Sequence, residues 1–193
     1  MAITEPPALA LHGGSGAHET CGEWSTEAAS AAELDVRLAH HRLWSVYHEV
    51  RGQLLQPRPG QVDKTVRIDR VLLPSQRLHE AGWRHGAIGI EIKRSGIRLG
   101  PPLAQAMDYT RAAWIIPEAR GISVLLSMVF VWPMDPVHGP LESVLLHNRI
   151  GSASFSSWAS LHLKFGSETV IEIDRAGEFR LGEGDSGHKV GSR

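Results

Sequence analysis

Hydrophobic positions recur along this chain at two different spacings, and each spacing predicts a different element. Val66, Ile68 and Leu72 alternate with Arg67, Asp69, Val71 and Leu73, the period of two expected of a strand. Ile88, Ile90 and Ile92 alternate in the same way with Ala87, Gly89, Glu91 and Lys93. Upstream, Ser30-x-x-Glu33 has the form of a capping box. Leu34, Leu38, Leu43, Val46, Tyr47, Val50 and Leu54 then approximate one helical face, so a long helix is expected, ended by Pro57, Pro59 and Gly60. Downstream, Pro101 and Pro102 suit the first turn of a second helix, which Pro117 is expected to stop. The apolar run from Ile122 to Trp132 predicts a central strand buried on both faces. Glu142 to Arg149 predicts a further helix. Leu161–Phe165 and Val170–Ile173 predict a hairpin turning at Gly166 and Ser167.

Side chains two apart on a strand share a face, so Glu91 and Lys93 must point the same way. If the two strands pair, Asp69 can join them. Two carboxylates and an ammonium would then converge, with isoleucines filling the opposite face. Such a set suits a hard divalent cation with oxygen ligands. The competing interpretation is the solvated face of a half-buried strand.

Gln105 and Tyr109 lie four apart in the second helix and therefore on one of its faces. The ordered set I-D, E-x-K and Q-x-x-x-Y, over roughly residues 30 to 132, resembles the PD-(D/E)-x-K nuclease superfamily, in particular its RecB-like exonuclease branch. The resemblance implies an α/β fold with a restriction-endonuclease-like αβββαβ core and a mixed sheet. The C-terminal helix and β-hairpin would be additions to that core. It also implies that Asp69 and Glu91 hold one or two Mg²⁺ ions, with Mn²⁺ as a substitute, aided by the Ile92 carbonyl. Lys93 would assist the attacking water, and Gln105 and Tyr109 would support the site. An acid or histidine near the end of the first helix often joins the metal in this family, which makes Glu49 and His48 candidates. One departure stands: two clear strands precede the Gln105 helix where the family has three, and a short one is expected near Leu54 to Arg58.

Composition narrows the picture. The 193 residues are expected to form a single nuclease-like domain over 26–181, between flexible tails at 1–25 and 182–193. H-G-G-S-G at positions 12 to 16 lacks what a nucleophile elbow or a phosphate loop needs, and is read as tail. With Cys21 as the only cysteine, an iron–sulfur cluster of the kind some RecB-like nucleases carry is excluded. No apolar run is long enough for a membrane helix, and a secretory signal is not expected, so a cytoplasmic protein is the expectation.

The net charge of −1 conceals an asymmetry. Lys64 to Arg120 holds ten Lys and Arg against five Asp and Glu, leaving ten against sixteen elsewhere. A basic middle around an acidic site suits a polyanion, DNA or alternatively RNA. Arg67, Arg70, Arg94 and Arg98 are the phosphate-binding candidates, and the Pro74–Gly86 connector could offer Trp83 to a base or to the core. The expected activity is metal-dependent hydrolysis of DNA phosphodiester bonds, exonuclease-like. The alternatives are a non-catalytic nucleic-acid-binding protein of the same fold, a restriction-like or junction-resolving endonuclease, and an interaction domain without metal.

Overall fold

The structure is a computed structural model, and it describes residues 24–39, 42–57, 60, 64–96, 98, 100–156 and 160–182. It is an α/β arrangement of four α-helices and a nine-stranded mixed sheet. Helix α1 (Glu27–Ala39) leads into β1 (Trp44–Leu54), β2 (Thr65–Pro74), the short α2 (Gln76–Glu80) and β3 (Ala87–Ile92). Then come α3 (Gly100–Tyr109), β4 (Ala112–Ile116), β5 (Ile122–Trp132) and α4 (Pro140–His147). A C-terminal meander follows: β6 (Ile150–Phe155), β7 (Leu161–Phe165), β8 (Glu168–Ile173) and β9 (Phe179–Leu181).

β1, β2 and β3 pair antiparallel in succession, and β5 runs parallel to β3, with Ile90 opposite Phe130 and Ile92 opposite Trp132. β4 pairs with both β1 and β5, so these five strands close a ring, while β5 also carries the meander through β6. The alternation in β3 divides the interior. Ile88, Ile90 and Ile92 face α1 through Leu34 and Leu38, together with Trp83, Phe130 and Trp132. Ala87 lies in the second core with Leu103, Ala106 and Tyr109 of α3. Each fully buried isoleucine contributes about 1.5–3 kcal/mol, so the register of β3 is strongly fixed.

The expected long helix is two elements. α1 ends at Ala39, and residues 44–54 form the strand missing from the sequence reading, earlier and longer than the one sought near Leu54 to Arg58. Trp44, Val50, Gly52 and Leu54 are buried at even positions, a period of two that coincides with helical spacing at Val46, Val50 and Leu54. The β-branched and aromatic residues, Val46, Tyr47 and Val50, tip the choice once β2 offers a partner. The helix also opens earlier than Ser30: the Thr26 hydroxyl accepts the Ala29 N–H, and Ser30 is buried within α1.

Two further corrections concern the middle of the chain. α3 ends at Tyr109, and Pro117 opens a single 3₁₀ turn after β4 instead of stopping the helix. β5 is buried on both faces only from Met128 onward; Ile122 and Leu125 are exposed. Trp24, expected in the tail, packs against Trp132 with ring centroids 5.2 Å apart. The rest of both expected tails, apart from Ser25 and Gly182, lies outside the described residues, as do the H-G-G-S-G segment and Cys21. Among the described residues no helix is long and apolar enough to cross a membrane.

Candidate active site

Asp69 projects from the middle of β2 and Glu91 from near the end of β3, where the β2–β3 pairing stops after Arg70 and Ile90. The Asp69 carboxylate accepts the Ile92 N–H at 2.6 Å, so a side chain continues the ladder where main-chain pairing stops. Glu91 is 2% exposed, because α3 covers the face of β3 on which it stands. The competing interpretation made that face solvated; it is instead a second interior surface, with Glu91 a buried acid within it.

Lys93 follows β3, with its main chain anchored by its N–H to the Trp132 carbonyl at 2.7 Å. Its ammonium lies 2.6 Å from Glu91 Oε1 and 3.8 Å from Glu27 Oε1. Tyr109, buried at the end of α3, donates its hydroxyl to Glu91. The ring is held edge-on to Trp114, whose indole N–H bonds the Tyr109 carbonyl at 3.2 Å.

The electrostatics follow from this enclosure. Burial raises the Glu91 carboxyl most, and the Asp69 charge raises it further; hydrogen bonds and charge from Lys93, and the Tyr109 hydroxyl, pull it back to about 7. Burial pulls Lys93 down, but the hydrogen bond and charge of Glu91, then Glu27 and Asp69, outweigh it and hold the ammonium above the ordinary lysine range. Lys93 is therefore a permanent cation and not a base. Burial, then the charge and hydrogen bond of Glu91, raise the Tyr109 phenol well above its usual range, so it stays a neutral donor.

Asp69, Glu91, Lys93 and Tyr109 thus come together. Gln105 lies one turn from Tyr109 on the exposed surface of α3. Glu49 is on β1, not on a helix; it stands across from Asp69, between the pairs His48–Arg70 and Val50–Ile68, and its carboxylate binds Arg67 at 3.0 Å. Glu49 adopts a left-handed φ of 51°, which for a non-glycine residue inside a strand is a strained conformation.

Arg94 and Arg98 are exposed, as is Arg67. Arg70 is corrected: it is buried, and its guanidinium binds both Asp35 oxygens at 2.7 and 2.8 Å and the Asp69 carbonyl at 2.7 Å. Alternation sends Arg70 to the face opposite Asp69, where it ties β2 to α1. Trp83 is also in the core, edge-on to Trp44 at 5.0 Å.

Glu27 is the site residue that sequence reasoning missed. Placing the helix start at Ser30 left it ahead of the helix, whereas Thr26 as cap puts it in the first turn of α1. Reciprocal hydrogen bonds between Trp24 and Ser95 hold that turn above Lys93.

Among the described residues no group of three or more His, Cys, Asp and Glu is arranged to hold a metal ion. Asp69 and Glu91 nevertheless form a donor set that fits Mg²⁺ or Mn²⁺, because Mg²⁺ commonly takes only one or two carboxylates and completes its shell with water and substrate phosphates. Burial and the neighbouring Asp69 charge both raise the Glu91 carboxyl, and a further cation would offset them. Comparison of the chain with protein-family models, curated proteins and solved structures gives no match.

Proposed function

We propose that this protein is a metal-dependent nuclease that hydrolyses DNA phosphodiester bonds in an exonuclease-like manner. The observation that carries the proposal is the meeting of Asp69, Glu91, Lys93 and Tyr109 where the pairing of β2 with β3 ends, beside α3. With α2 and the antiparallel β4 set aside as insertions, the order of helix, three antiparallel strands, helix and a strand parallel to the third supports the restriction-endonuclease-like reading of the core.

The roles follow from the charges. Asp69 and Glu91, with the Ile92 carbonyl, would hold Mg²⁺ or Mn²⁺. What such an ion supplies there is Lewis acidity toward the scissile phosphate. Lys93, a fixed cation beside Glu91, stabilises negative charge developing on the phosphoryl oxygens and orients the attacking water. Tyr109 keeps the Glu91 carboxylate aimed, and Glu27 limits how far the Lys93 ammonium can swing. Arg94 and Arg98 beyond β3, and Arg67 on β2, are placed to meet neighbouring phosphates.

A second reading is a non-catalytic nucleic-acid-binding protein, and the observation that favours it is the closed Glu91–Lys93 ion pair. One experiment separates the two. Linear DNA is incubated with Mn²⁺ and wild type, Asp69→Asn or Lys93→Ala. Asparagine can still accept the Ile92 N–H, so Asp69→Asn is expected to fold, to bind DNA and to cleave nothing. Cleavage absent from wild type, or unchanged in both variants, would refute the nuclease reading.

A further inference from the structure

β1 and β4 pair only where Gly52–Leu54 meets Ala112–Trp114. Gly52 permits that junction: a Cβ there would lie 2.7 Å from the Trp114 ring, so no other residue lets the strands approach before they part. Beyond it β1 stays with β2 while β4 runs out through Ile115 to the turn at Pro117. The parting opens a cleft of about 580 Å³, whose walls include His48, Gln53, Thr65, Ile115, Pro117 and Glu118.

The cleft adjoins the candidate active site. Glu49 lines it and stands across the β1–β2 ladder from Asp69. Arg67, which binds Glu49, is close enough to the site to act electrostatically on Tyr109. A ligand in the cleft and a phosphate at Asp69 and Glu91 would therefore be neighbours.

Its chemistry suits an uncharged ligand with one apolar face. Arg51 and Glu118 offset each other, and the Glu49 carboxylate is already paired with Arg67, so no net positive charge is left to attract a phosphate. Ile115, 53% exposed, and Pro117 give an apolar wall, while Gln53 and Glu118 bring hydrogen-bonding groups. Glu118, exposed and without an ion pair among the described residues, can accept only from a donor.

We infer that this cleft receives an unpaired nucleobase next to the phosphate held at Asp69 and Glu91, and that it favours a base with an exocyclic amine. The inference rests on the nuclease reading and deepens it, since only single strands or frayed ends present an unpaired base.

The test compares fluorescein-labelled dC10 and dT10, two pyrimidine strands that differ in an amine against a carbonyl. Fluorescence anisotropy measures their affinity for wild type, Glu118→Ala and Ile115→Glu without divalent ions, and Mn²⁺-dependent cleavage is followed separately. Both side chains are exposed, so both variants are expected to keep the wild-type melting temperature. Wild type should prefer dC10 by roughly tenfold, the value of one charge-assisted hydrogen bond, and each substitution should bring the ratio close to one. Binding with no preference in wild type, or a preference that survives both substitutions, overturns the cleft proposal and leaves the nuclease reading intact. Neither binding nor cleavage of either strand overturns the nuclease reading, and the cleft proposal with it.

Discussion

Two buried ion pairs stand on the neighbouring strands β2 and β3, and they are built differently. Arg70 meets Asp35 through two hydrogen bonds of 2.7 and 2.8 Å, one guanidinium for one carboxylate, and spends a further donor on a main-chain carbonyl. Charge is balanced and donors are used. Lys93 meets Glu91 at 2.6 Å, but Asp69 lies beside them, so two carboxylates share one close ammonium in a buried place. The first pair joins α1 to the sheet and needs nothing more. The second is short of positive charge, and burial first, then the neighbouring Asp69 charge, hold the Glu91 carboxyl at about 7 against the pull of Lys93. A balanced pair is structural; an unbalanced one, held by Tyr109 and the ends of β3 and β5, is what the nuclease proposal requires for an additional cation.

The sharpest way to break this contrast is Lys93→Ala. Cleavage should fall roughly 10²–10³-fold, the worth of a donor aimed at developing charge. Stability above pH 7 should fall as well, because Glu91 is left buried without its partner. A Lys93 that acted only as a surface charge would leave both measurements unchanged.

Arg70→Leu attacks the balanced pair. It should cost about 2–3 kcal/mol in urea unfolding, below the usual range for a fully buried pair because Asp35 is about one-third exposed. Adding Asp35→Leu should recover part of that loss. If Arg70 instead contacted phosphate, DNA affinity would drop while stability held.

The unbalanced pair should respond to pH in a defined direction. The folded state keeps the Glu91 proton up to about pH 7, whereas the ordinary carboxyl releases it near 4.5. Between those values the native state binds more protons, so this group's contribution to stability is full below 4.5 and is lost as pH rises through 7. The loss is on the order of 3 kcal/mol. Thermal melts without divalent ions should show it in wild type and not in Glu91→Gln, which should be the more stable protein at pH 8. Mn²⁺ should restore wild type there and do nothing for the variant. A wild type indifferent to both pH and Mn²⁺ would remove the imbalance from the explanation.

The smallest effect concerns the exposed arginines. Arg98→Ala should reduce the slope of log affinity for DNA against log salt by about one, with little change in stability. Arg70→Leu should leave that slope alone. An unaltered slope in Arg98→Ala would place the phosphate path elsewhere.

Period-two alternation in β3 was enough, by itself, to place Glu91 and Lys93 on one face with Ile88, Ile90 and Ile92 behind them, whereas β2 keeps no single alternation, since Ile68 and Val71 lie in the α3 core and Leu72 in the α1 core. Pro101 and Pro102 likewise marked the start of α3, but the spacing of Gln105 and Tyr109 did not separate the buried tyrosine from the exposed glutamine. The nature of the Glu91 face was not legible. Alternating charges on a strand look the same whether they meet water or a helix, and only the packing of α3 onto β3 made Glu91 a buried acid. Residues 44–54 fit both periods, and the choice fell to the partner strand, a contact some twenty residues away in sequence. Arg70 and Arg67 lie three apart and have the same composition signal, yet strand parity turns one toward Asp35 in the interior and leaves the other at the surface. Local sequence determined the periods, the breaks and the chemistry available on each face. Which faces are covered, and so which charges are left unbalanced, was decided by tertiary contacts, because desolvation depends on what lies above a side chain and not on what lies beside it in the chain.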